Sequence, residues 1–99
     1  MIKYKIQIDE EALSDIQEAT DWYNEQLQGL CSRFLKQTKS QINSLKSDAE
    51  IFKNRYANVR CMLIKKFPFM VHYIIDNLTV KIFAVLHTSR NPKIWEDRS

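Results

Sequence analysis

Residues 2–16 read Ile-Lys-Tyr-Lys-Ile-Gln-Ile-Asp-Glu-Glu-Ala-Leu-Ser-Asp-Ile, and within them the apolar period changes. Ile2, Tyr4, Ile6 and Ile8 alternate with Lys3, Lys5 and Gln7, the pattern of a strand with one buried face. Asp9 offers a carboxylate to the first free amides of a helix, and Glu10 and Glu11 follow where the positive end of a helix dipole favours acids. From there Leu13, Ile16, Thr20, Tyr23 and Leu27 recur at helical spacing, flanked by Ala12 and Ala19. A half-buried strand that runs directly into an amphipathic helix points to a mixed α+β domain.

Gly29, the only glycine, follows this stripe and suits a helix end that needs positive φ. Leu30, Phe34, Thr38, Ile42 and Leu45 then form a second stripe, ending near Ser47. Two helices with one apolar stripe each, joined at Gly29, fold back as an antiparallel hairpin. Residues 47–57 read as a connector that turns Ile51 and Phe52 to the core. Three strands follow: Val59 to Lys65, Phe69 to Ile75 after Pro68, and Thr79 to Leu86 after a turn at Asp76-Asn77. Their short links make an antiparallel meander. The tail from Asn91 to Arg98 reads as a helical turn docked by Ile94 and Trp95. The expected fold is α+β: an N-terminal strand, a helical hairpin, then a three-stranded antiparallel meander, in one domain over residues 1–99.

Composition narrows the function classes. With 44% hydrophobic and 27% charged residues, the chain is an ordinary globule. No apolar run approaches the ~18 residues of a membrane span, and Met1-Ile2-Lys3-Tyr4-Lys5 does not open a signal peptide, so a cytoplasmic protein without membrane contact is expected. Cys31 and Cys61 are then reduced thiols, and no two of Cys31, Cys61, His72 and His87 lie within ten residues of each other, so no metal site is expected. A single glycine excludes a phosphate-cradling loop, and no serine stands in a nucleophile elbow. The mid-helix acids of the first helix are expected to face solvent. No cofactor is expected.

Charge is unevenly spread. Residues 1–30 hold seven acids and two bases (−5), residues 31–71 nine bases and two acids (+7), and residues 72–99 add +1, for +3 overall. The basic middle suits an acidic or polyanionic partner. Arg60, Lys65, Lys66, His72, Lys81, His87 and Arg90 all fall on strands or strand ends. Strict alternation puts Lys81, Phe83, Val85 and His87 on one face and Val80, Ile82, Ala84 and Leu86 on the other, so Lys81 and His87 are expected to look outward together. His72, in step with Met70 and Ile74, is expected to face outward too. Such a face could hold phosphates and move protons. Exposed lysines on sheet edges also serve simply to prevent aggregation.

The stretch Arg60 to Phe69, the triplet Val71-His72-Tyr73 and the block Ala84 to Pro92 resemble the RelE/ParE superfamily, toxins of type II toxin–antitoxin modules. Ala12 to Ile16 and the Trp22-Tyr23 pair are similar to the family's first helix. The resemblance implies a toxin that arrests bacterial growth, as in plasmid stabilisation systems, by one of two routes. RelE-like members are ribosome-dependent endoribonucleases that cut messenger RNA. In that branch His87 would transfer protons with Arg60 and Arg90 beside it, and Lys65, Lys66 and Lys81 would bind phosphate. Where that branch has a C-terminal tyrosine, this chain has Trp95, which donates a hydrogen bond but cannot serve as a base. ParE-like members lack the nuclease residues and inhibit DNA gyrase, and the missing tyrosine favours them. A degenerate, inactive member is the third reading.

Both active branches imply a cognate antitoxin and a target, DNA gyrase or the translating ribosome with its messenger RNA. The resemblance implies an acidic or amphipathic antitoxin tail that covers the toxin's basic or apolar surface, and the +7 segment is a suitable counterpart for it. Trp22, off the apolar stripe, and Trp95 are the expected partner-binding aromatics, whereas Tyr23 lies on the stripe and is expected in the core.

Overall fold

The computed structural model describes residues 3–89. Strand β1 (Lys5–Ile8) leads into helix α1 (Glu10–Gln26), which turns through Leu27 to Gly29 into helix α2 (Leu30–Asp48). Strands β2 (Asn54–Tyr56), β3 (Val59–Leu63), β4 (Phe69–Asp76) and β5 (Thr79–His87) follow. They form one five-stranded sheet in the order β1-β5-β4-β3-β2, with β1 parallel to β5 and every other pair antiparallel. The expected α+β order holds, with two additions. The first strand joins the meander beside β5, and the connector contributes the short edge strand β2.

The helices cover one sheet face. Phe34, Leu45, Met62, Ile64, Val71, Tyr73, Val80 and Ile82 are fully or almost fully buried between the layers. Burying one such side chain stabilises the fold by roughly 1.5–3 kcal/mol. Gly29 takes φ +85, as its place between the helices requires. Asn77 takes φ +55 in the β4–β5 turn, and Pro68 immediately precedes β4, both as the sequence suggests.

Helix α1 is rotated relative to expectation. Its buried residues are Ala12, Asp15, Ala19 and Tyr23, whereas Leu13 and Leu27 are 53% and 63% exposed. The small alanines let the helix approach the sheet closely, which a leucine at the centre of the contact would prevent. Asp9 stands at the N-cap but makes no side-chain capping bond; its amide instead donates to the Ile82 carbonyl, tying the helix start to β5. Ile51 is exposed, and Phe52 alone of the expected pair packs on the core.

The sheet is two-faced. Behind the helices, Val59, Phe83, Ala84 and Leu86 form a second buried cluster joined by Tyr56, Cys61 and Ile74. Both halves of β5 reach this arrangement because the strand carries one extra residue. Tyr73 pairs with Ile82 and His72 with Ala84, so Phe83 has no counterpart on β4. Such a bulge reverses the facing of everything beyond it. Val80 and Ile82 face the helices before it and Val85 after it.

Candidate functional site

The bulge divides the basic residues that alternation puts on one face. Lys81 precedes it and points away from the helices, where its ammonium pairs with Asp76 at 3.0 Å. His87 follows it and lies on the helix side with Val85, its ring edge-on to Phe69 at 5.3 Å. Along β5 the two are roughly 20 Å apart at ~3.3 Å per residue. The expected shared outward face for Lys81 and His87 is therefore overturned.

Arg60 has a different task. Its guanidinium donates to the Glu50 carbonyl at 3.1 Å and to the Phe52 carbonyl, holding the connector after α2 against the sheet. Arg60 pairs in register with Tyr73, while His87 pairs with Phe69. Four residues along β4 and two strand spacings put their backbones roughly 16 Å apart. His72 does face away from the helices, but it is fully buried rather than exposed. Its Nδ1 lies 3.2 Å from Cys61 Sγ and 3.3 Å from the Tyr56 hydroxyl. Burial pushes the Cys61 thiol up to about 11, so it is a protonated donor and not a nucleophile. Arg90 and Trp95 lie outside the described residues.

Aromatic side chains gather at the other end of the sheet. Tyr23, Phe34, Phe67 and Phe69 form an aromatic cluster with ring centroids 5.2–6.1 Å apart, drawing on α1, α2 and the β3–β4 turn. Burial raises the Tyr23 phenol above its ordinary value, as its core place requires. Trp22 leans edge-on against Tyr23 at 5.1 Å and is 54% exposed.

Two open grooves flank this cluster. The first, about 660 Å³, runs between α1 and the ends of β4 and β5, with Trp22, Phe69, Val85, His87 and Ser89 on its walls and Asp15 and Glu18 beside them. His87 Nδ1 accepts the Ser89 amide at 3.1 Å and lies 2.7 Å from the Ser89 hydroxyl. With Nδ1 as acceptor, the neutral ring carries its proton on Nε2. Asp15 is buried in this wall, and its carboxylate accepts the Val85 amide at 3.0 Å. It does not face solvent as mid-helix acids of α1 were expected to. β1 pairs only with Thr79 to Ile82, so beyond that point β5 needs another acceptor, and α1 supplies it.

The second groove, about 600 Å³, lies between α2 and the β3–β4 turn. Lys65 and Lys66 from the turn and Arg33 and Lys36 from the helix line it. The sequence reading picked out the two turn lysines but not the helix pair, although Arg33, Lys36, Gln37 and Ser40 recur at offsets of 3, 4 and 7, a helical polar face.

A family model described as the ParE toxin of the type II toxin–antitoxin system parDE matches residues 6–92. The chain belongs to the ParE toxin family. It is thus the toxin of a type II toxin–antitoxin module, within the RelE/ParE superfamily that the sequence resembles. Among solved structures, a chain of the chromosomal ParDE TA system from P. aeruginosa superposes with a TM-score of 0.70, at 16% identity, over 86% of this chain and 96% of that one. At that identity the likeness is one of fold. No curated protein matches in sequence. Among the described residues no helix is long and apolar enough to cross a membrane, and no group of His, Cys, Asp and Glu could hold a metal ion.

Proposed function

We propose that this ParE-family chain arrests bacterial growth by binding and inhibiting DNA gyrase, and that a cognate antitoxin neutralises it. The observation that carries this reading is the dispersal of the nuclease candidates among the described residues. Arg60 is tied to backbone carbonyls, Lys81 to Asp76, and both stand far along the sheet from His87. Phosphodiester cleavage needs acid–base and cationic groups within hydrogen-bond reach of one phosphate. Binding a protein target needs only a stable surface with exposed anchors, and Trp22 beside the first groove is such an anchor for the antitoxin.

The test is a pair of assays on the purified toxin and its His87→Ala variant: gyrase supercoiling with capture of cleaved DNA, and messenger integrity in a translating extract. Loss of supercoiling with both proteins, over intact messages, is the expected result. Cut messages with the parent toxin, falling ~10²–10⁴-fold in His87→Ala, would assign the chain to the ribosome-dependent nucleases instead. Inactivity in both assays would make it a degenerate member.

A further inference from the structure

The groove between α2 and the β3–β4 turn plays no part in the gyrase reading. Its cations have a distinctive electrostatic setting. None of Arg33, Lys36, Lys65 and Lys66 makes a salt bridge among the described residues, and no acid lines the groove. The first turn of α2 holds no acid, so its unneutralised amide dipoles add to the same positive field. Arg33 follows directly on that turn, where a cation opposes the dipole, so its place is not explained by helix stability.

The two walls are also fixed relative to each other. Gln41 of α2 accepts the Lys65 amide at 2.7 Å through Oε1 and donates through Nε2 to the Leu63 carbonyl at 2.8 Å. Gln37 donates to the same Oε1 at 2.7 Å. One side chain thus holds the chain at two points where β3 enters the turn. Lys66 sits within that turn at φ +71, a conformation that costs a non-glycine residue roughly 1–2 kcal/mol. The lysines are therefore presented by a held turn and not by a free loop.

We propose that this groove binds the sugar–phosphate backbone of nucleic acid, held by Arg33 and Lys36 from one wall and Lys65 and Lys66 from the other. An acidic peptide fits less well. A peptide needs a pocket for an apolar anchor, whereas six of the eight residues lining the groove are polar or charged and the two apolar ones, Leu30 and Phe67, are packed against the core, Phe67 edge-on to Tyr23 and Phe34. A backbone polyanion binds through charge and counterion release alone. Gln37 and Ser40 in the lining add neutral donors of the kind that contact phosphate and sugar. The acids of α1 give the neighbouring helix the opposite sign, which orients an approaching polyanion toward this groove.

The test is fluorescence anisotropy of the full chain with a short labelled DNA duplex, a single-stranded RNA of equal length and a polyglutamate peptide, each across a salt series. With four phosphates neutralised, log K should fall with log salt at a slope of about −3.6 for duplex DNA, a loss of roughly 150-fold between 50 and 200 mM. For single-stranded RNA the slope should be about −2.8 and the loss roughly 50-fold. The stronger arm identifies the source of the backbone. Arg33→Gln with Lys36→Gln, and separately Lys65→Gln with Lys66→Gln, should each halve the slope. Lys53→Gln with Arg55→Gln removes the same charge from exposed positions outside the groove and should leave it unchanged. Equal losses in the control and groove variants would overturn the proposal, as would absence of nucleic-acid binding at 50 mM salt or groove-dependent binding of polyglutamate alone. No gyrase or ribosome is present, so failure here leaves the proposed target untouched, and failure of the gyrase assay leaves this result standing.

Discussion

Replacing Asp15 by alanine tests how α1 is locked onto the sheet. The carboxylate accepts the Val85 amide at 3.0 Å where β5 has outrun its parallel neighbour, and Val85 is 1% exposed. In Asp15→Ala that amide keeps its desolvation cost and loses its acceptor, a penalty of about 1–3 kcal/mol. A domain of this size has only about 5–15 kcal/mol of stability in total. A loss of about 2 kcal/mol lowers Tm by roughly 8–16 °C, since each kcal/mol is worth ~4–8 °C here. Asp15→Asn keeps a carbonyl oxygen at the same place and should cost less than about 1 kcal/mol, or roughly half the alanine shift at most. Circular-dichroism melts of the three proteins decide it. If alanine and asparagine variants melt together, the amide contact contributes nothing beyond burial, and the account of α1 as the missing neighbour of β5 is wrong.

Gly29→Ala should destabilise by about 1–2 kcal/mol: the added Cβ meets nothing within 4 Å, so the loss is the left-handed backbone alone, read by urea denaturation. Cys61 should resist alkylation. With its thiol at about 11 against 9.0 unperturbed, the thiolate fraction at pH 8 is lower by roughly 100-fold, and peptide mapping after iodoacetamide treatment should show that slowing in the folded protein and its loss in urea. The raised pKa also fixes a sign. The native state holds this proton more tightly than the unfolded state, so its contribution is whole below pH 9 and declines between pH 9 and about 11.

The order of elements was legible because each segment keeps one period long enough to be read. Alternation up to Ile8, the helical recurrence through Leu45 and the three later strands all survive in the structure. Where two residue types compete for one face, the pattern misleads. Leu13 and Leu27 look like core and Asp15 looks like surface, yet close helix–sheet packing selects alanines and an acceptor for a stranded amide. The edge strand β2 escaped for another reason. Asn54-Arg55-Tyr56 carries no alternation, and its pairing is supplied wholly by β3 across an irregular register. Hydrophobicity alone points Ile51 inward, but Phe52 next to it already fills that part of the core and Ile51 is exposed.

The site was legible in composition but not in geometry, and the reason is one residue. Sequence alternation treats β5 as a continuous two-fold ladder, which sets Lys81 and His87 on a common face. Phe83 breaks the ladder by standing unpaired between the partners of His72 and Tyr73. No strong signal marks it, since a bulged phenylalanine in an apolar run looks the same as a paired one. The consequence is large. Without the bulge His87 would join His72 behind the sheet; with it, the imidazole reaches the groove beside Trp22 and Phe69. The same break separates it from Lys81, and the Arg60 tether removes a second cation from any shared phosphate. What remains concentrated is charge on α2 and the β3–β4 turn, on the far side of the aromatic cluster from His87. Among the described residues, His87 and the cations Arg33, Lys36, Lys65 and Lys66 thus stand on opposite sides of the packed aromatic cluster, a separation that, under the proposed function, favours binding over cutting a phosphodiester held between them.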